Sequence, residues 1–161
     1  MKIIFISDIH GHIENLKKIS FDCDKLVVLG DLFGYSYENN DFVFNFLKNN
    51  QDRLILLKGN CDSDESLMLL GLNYYDYYDL NVDDIVIRCT HGNKEYSGNF
   101  DVLIFGHKHY PFIQKEGNIF NICVGSIENP RNNSNYSYCI YENRCFKLID
   151  IDENVLEEIT L

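Results

Sequence analysis

No apolar run in this chain of 161 residues approaches the length needed to cross a bilayer. The N-terminal stretch Ile3-Ile4-Phe5-Ile6 is cut by Asp8, too early for the hydrophobic region of an export signal. No C-x-x-C spacing occurs among the six cysteines, Cys23, Cys61, Cys89, Cys123, Cys139 and Cys145. They offer no obvious thiolate metal site, and without an export signal they are expected reduced, several of them buried, in a cytoplasmic protein. Basic residues are scarce, 14 against 25 acidic ones, for a formal charge of −11. Such a surface is poorly suited to gripping a polyanion by counterion release, so long nucleic acid is not an expected partner, and neither is a membrane. Internal repeats and linkers are also missing. With 45% hydrophobic residues, the chain reads as a single domain over residues 1–161 with a real core.

What is present is a pattern of short apolar runs that stop at polar residues of one chemical kind. Ile3–Ile6 leads to Ser7-Asp8-Ile9-His10, and Leu26–Leu29 leads to Gly30-Asp31. Leu54–Leu57 leads through Lys58 to Gly59-Asn60, and Ile85–Ile87 leads through Arg88-Cys89-Thr90 to His91. Val102–Phe105 leads to Gly106-His107-Lys108-His109. Runs of this length, rich in Ile, Val and Leu and stopped by Gly or Asp, predict strands buried on both faces. Open sheets of such strands carry their chemistry in the loops beyond the strand ends.

Each element has a blander reading taken alone. Gly30-Asp31 can be a turn, Gly59-Asn60 a left-handed turn, and a single histidine a hydrogen-bonded core residue. Jointly, four of the five histidines, two aspartates and an asparagine at five strand exits describe a site. Two carboxylates, one amide oxygen and four imidazoles form a mixed oxygen and nitrogen shell. That set suits Mn²⁺, Fe²⁺, Ni²⁺ or Zn²⁺ and is too rich in nitrogen for Ca²⁺. Seven ligands exceed one tetrahedral ion and match two ions sharing a carboxylate, with positions left for water and substrate.

The ordered set Asp8-x-His10, Gly30-Asp31, Gly59-Asn60, His91 and Gly106-His107-x-His109 resembles the calcineurin-like metallophosphoesterases, and within them the small bacterial and archaeal phosphodiesterases. Gly125-Ser126 followed by Pro130-Arg131 is similar to the family as well, so the likeness spans Met1 to Arg131. The resemblance implies an α/β fold: a four-layer α/β/β/α sandwich of two mixed sheets flanked by helices. It implies one ion on Asp8, His10, Asp31 and His109, and a second on Asp31, Asn60, His91 and His107, with Asp31 bridging. Manganese is the first expectation among the four metals. The implied activity is hydrolysis of small phosphodiesters by a metal-bridging hydroxide. Asn60 then acts in catalysis as a phosphoryl contact, Cys61 is the other catalytic candidate, and Asn60, Asp62 and Arg131 are candidate substrate contacts. A phosphomonoesterase or a nucleotide pyrophosphohydrolase is the alternative within enzymes, and a protein-binding scaffold of the same fold the alternative outside them.

Three departures from the family pattern stand out. Cys61 occupies the place after Gly-Asn where many members carry a proton-donating histidine; a thiol, with a reference pKa of about 8.5, is the poorer general acid near neutrality, which favours activated leaving groups. Only eight residues separate Gly92 from Asp101, too few for the helix often inserted there. Cys123-Val124 replaces the usual Asn-Pro before Gly-Ser.

Helices are expected at Ile13–Ser20, at Asp41–Asn49 with Phe42, Val43, Phe46 and Leu47 inward, and at Asp62–Leu70, with Asp41 and Asp62 as N-caps. Hairpins are expected for Tyr77–Val82 with Ile85–Thr90, Phe112–Lys115 with Ile119–Ile122, and Tyr136–Tyr141 with Cys145–Asp150. Asn129–Asn135 is the most loop-like segment. Tyr35 and Tyr37 are candidates for the pocket rim. The Tyr74–Tyr78 cluster reads as an edge strand or a subunit contact, the latter making a homo-oligomer, in preference to a stacking surface for an aromatic leaving group.

Overall fold

The computed structural model describes residues 1–34 and 40–161; Tyr35 and Tyr37 lie outside the described residues. The described elements are β1 (Lys2–Ile6), β2 (Lys25–Val28), α1 (Asn40–Asn49), β3 (Leu54–Leu56), α2 (Asp64–Leu70), β4 (Tyr77–Val82), β5 (Ile85–Thr90), β6 (Val102–Phe105), β7 (Pro111–Glu116), β8 (Ile119–Val124), β9 (Ser137–Glu142), β10 (Cys145–Asp150) and β11 (Val155–Thr160). They form two mixed sheets, one ordered β11-β10-β9-β1-β2-β3 and the other β4-β5-β6-β8-β7. In the first, β1, β2 and β3 run parallel, with Ile4 opposite Leu26 and Leu26 opposite Leu54. In the second, the parallel trio is β5, β6 and β8. All five strand exits named above belong to these parallel trios or follow them directly, so their loops emerge together.

The sheets pack face to face. Ile3, Phe5, Val27 and Leu29 from one meet Leu80, Ile87, Cys89, Ile104, Ile122 and Val124 from the other, all buried. The opposite face of the six-stranded sheet (Ile4, Ile6, Leu26, Val28, Leu56) is covered by Val43 and Leu47 of α1 and Leu67 and Leu70 of α2. Burying side chains of this size contributes about 1.5–3 kcal/mol each. Residues alternating between these two apolar environments explain why the strands read as unbroken hydrophobic runs.

The two-sheet sandwich is thus present, and its layers are unequal. Among the described residues, both helices lie on the six-stranded sheet. The outer face of the other sheet carries the loop 92–101, whose length cannot hold a helix and two turns. That loop is pinned by Arg88, which donates to both carboxylate oxygens of Asp79 (2.7 Å each) and to the carbonyls of Tyr96 and Ser97 (3.2 and 2.8 Å). The guanidinium lies between the rings of Tyr77 and Phe100, 4.9 and 4.7 Å from their centroids.

Several local expectations are corrected. Ile13–Ser20 makes only a helical turn, Lys17 N–H donating to Ile13 O, and Lys18 already switches to an i→i−3 bond with Asn15. The start of that turn is held sideways by Glu128, whose Oε1 accepts from the N–H groups of Asn15 and Leu16 at 2.9 Å. Phe42 faces outward beneath the Lys17 ammonium, while Val43 and Leu47 form the buried stripe. Asp41 sits inside the first turn of α1 and is not its cap. The cap of α2 is Ser63, whose hydroxyl accepts from Ser66 N–H at 3.1 Å; Asp62 points inward. The hairpins fall where expected, with left-handed Asp83-Asp84 and Asn143-Arg144 at two of the turns. Strand β11 was not foreseen. Its residues are mostly exposed, so it lacks the alternation that marks a half-buried strand. It lies along the sheet border and meets β7, where Ile113 N–H donates to Glu157 Oε2 at 2.9 Å.

Candidate metal centre

The loops leaving β1 and β2 remain zipped together beyond the sheet. Asp8 N–H donates to Gly30 O, His10 N–H to Asp31 O and Gly11 N–H to Leu32 O, at 2.9–3.1 Å. From the second sheet, Gly106 N–H donates to His91 O at 3.0 Å. Two glycines permit the approach of one loop to another. A Cβ on Gly106 would strike Ser7 and the Asp8 carboxylate, and one on Gly59 would strike Asp31. Five of the seven candidate ligands, Asp8, His10, Asp31, His107 and His109, have φ between 49° and 64°. Non-glycine residues enter this left-handed region at an energetic cost, and such residues gather at functional sites.

These loops bring all seven residues together. One potential ligand atom from each of Asp8, His10, Asp31 and His109 lies within 4.8 Å of every other. On the far side of Asp31, its Oδ2 is 3.4 Å from His91 Nε2, which is 2.9 Å from Asn60 Oδ1. The His107 ring stands against His91 with centroids 5.1 Å apart, and its backbone N–H donates to Asp8 Oδ2 at 2.9 Å. Asp31 therefore sits between the two groups.

The hydrogen bonds around the histidines decide what the centre can hold. His91 Nδ1 lies 2.8 Å from the carbonyl of Leu29, and His109 Nδ1 lies 2.7 Å from that of Asn129. A carbonyl only accepts, so in both rings Nδ1 bears the hydrogen and the neutral ring turns a lone pair outward from Nε2. The His91 lone pair faces Asn60 Oδ1, another acceptor. The His109 lone pair faces Asp8 Oδ1 at 3.0 Å, a buried oxygen with no hydrogen-bond partner. His10 Nε2 and His109 Nε2 lie 3.4 Å apart. Acceptors turned toward one another favour positive charge between them, whether a proton on Nε2 or a metal ion. Two carboxylates, an amide oxygen and imidazoles are the donor set of a divalent transition ion, so these residues fit a metal.

Electrostatics agree. Burial opposes ionisation of Asp8, but His10 and His109 outweigh it and hold its carboxyl far below the usual range. Asp31 is likewise pushed up by burial and brought down further by His91. Burial disfavours the imidazolium of His91 and of His109, yet Asp31 and Asp8 respectively raise both pKa values. His107, penalised by burial and by the charge of His91, moves down. The pocket stabilises anionic carboxylates and asks for cations.

The remaining candidates take different places. Both carboxylate oxygens of Asp62 are occupied: Oδ2 accepts from the N–H groups of Asp31 and Gly59, and Oδ1 from Leu32, each at 2.8 Å. Asp62 is buried and clamps the Asp31 loop to the Gly59-Asn60 turn, which corrects its reading as an N-cap. Cys61 N–H donates to Asp31 Oδ1 at 2.8 Å, and its Sγ accepts from Asn60 Nδ2 at 3.3 Å. The thiol pKa is pushed up to about 11 by burial and by Asp31. Arg131 is exposed on the loop that follows Asn129, its N–H donating to His109 O at 2.9 Å. Ser126, of the Gly-Ser pair, donates to Asp8 O at 2.8 Å and accepts from Asn129 N–H. The orienting carbonyls of Leu29 and Asn129 were missed in the sequence because a backbone acceptor leaves no signal there.

The pattern of the calcineurin-like phosphoesterase superfamily domain matches residues 1–144. The chain belongs to that superfamily. Phosphodiesterase YfcE of Escherichia coli is 26% identical over 181 aligned residues, covering 100% of this chain and 98% of that protein. The structure of the E. coli YfcE phosphoesterase aligns over 99% of both chains with a TM-score of 0.89. Phosphodiesterase MJ0936 of Methanocaldococcus jannaschii is 25% identical over 144 residues, 78% of this chain and 83% of its own. Vps29 of Entamoeba histolytica, solved with zinc, shares the fold at 18% identity and a TM-score of 0.69, over 99% of this chain and 98% of its own. Members of the superfamily use divalent metals, and the Asp8, His10, Asp31 and His109 cluster is a potential site for one. Among the described residues no helix is long and apolar enough to span a membrane.

Proposed function

We propose that this protein is a dinuclear metal-dependent phosphodiesterase acting on small phosphodiesters, with manganese as the first metal to test. The observation that carries the reading is the set of acceptors aimed at one another on both sides of Asp31, most deeply buried on the Asp8 side, which supports one ion in the Asp8, His10, Asp31 and His109 group and one in the Asp31, Asn60, His91 and His107 group. When bound, two such ions supply a hydroxide nucleophile near neutral pH and neutralise charge developing on the phosphoryl oxygens.

The chain's own residues do the rest. Leu29 and Asn129 fix the tautomers of His91 and His109, keeping Nε2 free to ligate. Asn60, whose Oδ1 lies 2.9 Å from His91 Nε2 and whose amide nitrogen donates to Cys61 Sγ, is assigned in this reading as ligand and phosphoryl contact. Cys61 stays protonated and orients Asn60, so the leaving group receives little help from an acid, which supports a preference for activated esters. Arg131, at the rim beside His109, is the remaining candidate for a non-bridging oxygen. The six unpaired cysteines suit a reducing, cytoplasmic setting.

The test is a panel of phosphomonoesters, phosphodiesters and pyrophosphates with manganese-, nickel-, iron- or zinc-loaded protein. The expected outcome is chelator-sensitive hydrolysis favouring the diesters. Monoester preference would reassign the substrate class, and inertness toward the whole panel would leave the scaffold reading.

A further inference from the structure

A cavity of about 590 Å³, lined in part by His10 and Cys61, opens beside the candidate metal centre, and the chemistry set out above does not use it. His10 and Cys61 form its inner end; Phe33, Phe44 of α1 and Leu69 of α2 line its apolar walls. Leu69 is 80% exposed and its neighbour Met68 72%, an unusual display of apolar surface on a seven-residue helix. The ionisable side chains lining the cavity, besides His10 and Cys61, are Asp41 and Asp62, and Asp62 is already committed to three backbone donors. No Lys or Arg lines it among the described residues, and residues 35–39, which join Gly34 to Asn40, contain none in sequence. A second cavity of about 270 Å³ lies on the Asn60 side and is mixed in charge: Lys58, Lys94, Asp62 and Asp76 line it, and Lys58 is paired with Asp64.

We infer that the α1–α2 cavity receives one ester arm of the substrate, and that this arm is an uncharged apolar group, aryl or similar, while anionic arms are excluded from it. This rests on the phosphoesterase reading of the adjoining centre. A carboxylate or second phosphate entering a cavity with acidic residues and no cation would lose hydration without gaining a partner. An apolar group would cover Phe33, Phe44 and Leu69, and the volume lies within the range of small-molecule pockets. An apolar cavity on one side of Asp31 and a polar one on the other would orient an unsymmetrical diester.

The experiment uses manganese-loaded protein and two 4-nitrophenyl phosphodiesters, one with a phenyl second arm and one with a 4-carboxyphenyl arm. In addition, binding of 4-nitrophenol to the metal-free protein is followed by NMR at mildly acidic pH, where the phenol is uncharged. The wild type is expected to favour the phenyl ester by tenfold or more in kcat/KM. Leu69→Lys, at an exposed position that tolerates replacement, should shrink that ratio at least fivefold and weaken 4-nitrophenol binding. If both esters are inert while 4-nitrophenol binding is intact and sensitive to Leu69→Lys, the phosphoesterase reading fails and the apolar pocket stands. If both are hydrolysed with a ratio that Leu69→Lys leaves unchanged, the cavity assignment is wrong. A dimer broken by Leu69→Lys would also overturn it, since the surface would then be a contact between copies.

Discussion

The two halves of the proposed metal centre are built differently around the carboxylate of Asp31. On one side, Asp8 and Asp31 converge with His10 and His109 in a tight cluster that is almost wholly buried. On the other, Asp31 is the sole carboxylate, and exposed Asn60 and half-buried His107 complete the group with His91. A site with two anionic ligands attracts a divalent ion more strongly than one with a single shared anion. The lesson is an order of filling: the Asp8 side should load first and hold its ion, and the Asn60 side should exchange more readily and face the substrate.

The strongest way to break this comparison is Asp31→Asn, which removes the shared anion. Both ions should be lost or weakened by at least tenfold, and diesterase activity should fall by orders of magnitude. Elemental analysis of reconstituted wild type that never exceeds one ion per chain would falsify the dinuclear arrangement. Asn60→Ala should act on one side only. Isothermal titration should still show the tighter ion while the weaker site loses about 10–100-fold in affinity, and turnover should fall sharply. Equal weakening of both sites would mean the halves are not separable.

Much of this asymmetry could be read in the sequence, because ligand type and order survive without coordinates. Asp8, His10, Asp31, Asn60, His91, His107 and His109 each follow an apolar run, and two-sided burial of the parallel strands makes those runs continuous. The paired sheets were legible through the family resemblance, and the three hairpins through the turn residues between short strand-like runs. Legibility failed where partners come from distant sequence. Nothing near Asn15 announces that Glu128 will hold its N–H, and nothing around Asp62 says that Asp31 and Leu32 will use its carboxylate before α2 does. The exposed strand β11 and the outward turn of Phe42 belong to surface packing, where periodicity carries little information. The left-handed ligand backbones depend on loops crossing in space.

Smaller effects sharpen the picture. Asp62→Asn replaces one acceptor oxygen by a donor facing backbone N–H groups, leaving at least one of them unpaired in a buried position. A loss of about 1–3 kcal/mol in stability is expected, seen by chemical denaturation of the metal-free protein. An unchanged denaturation midpoint would argue against the clamp. The smallest change is expected from Cys61→Ser. A hydroxyl can still accept from the Asn60 amide, so metal content and most diesterase activity should persist. Loss of one ion in that variant would show the sulfur to be a ligand.

Five ligands held at positive φ carry one more consequence, for the speed of loading. Because crossing loops, tight glycine contacts and the Asp62 clamp already impose those backbone angles, the pocket is a finished mould before any ion arrives. Little conformational search remains to slow capture. The tempo of metal uptake should then be set by how fast the ion sheds its own water, and ions should rank by hydration lability before they rank by affinity.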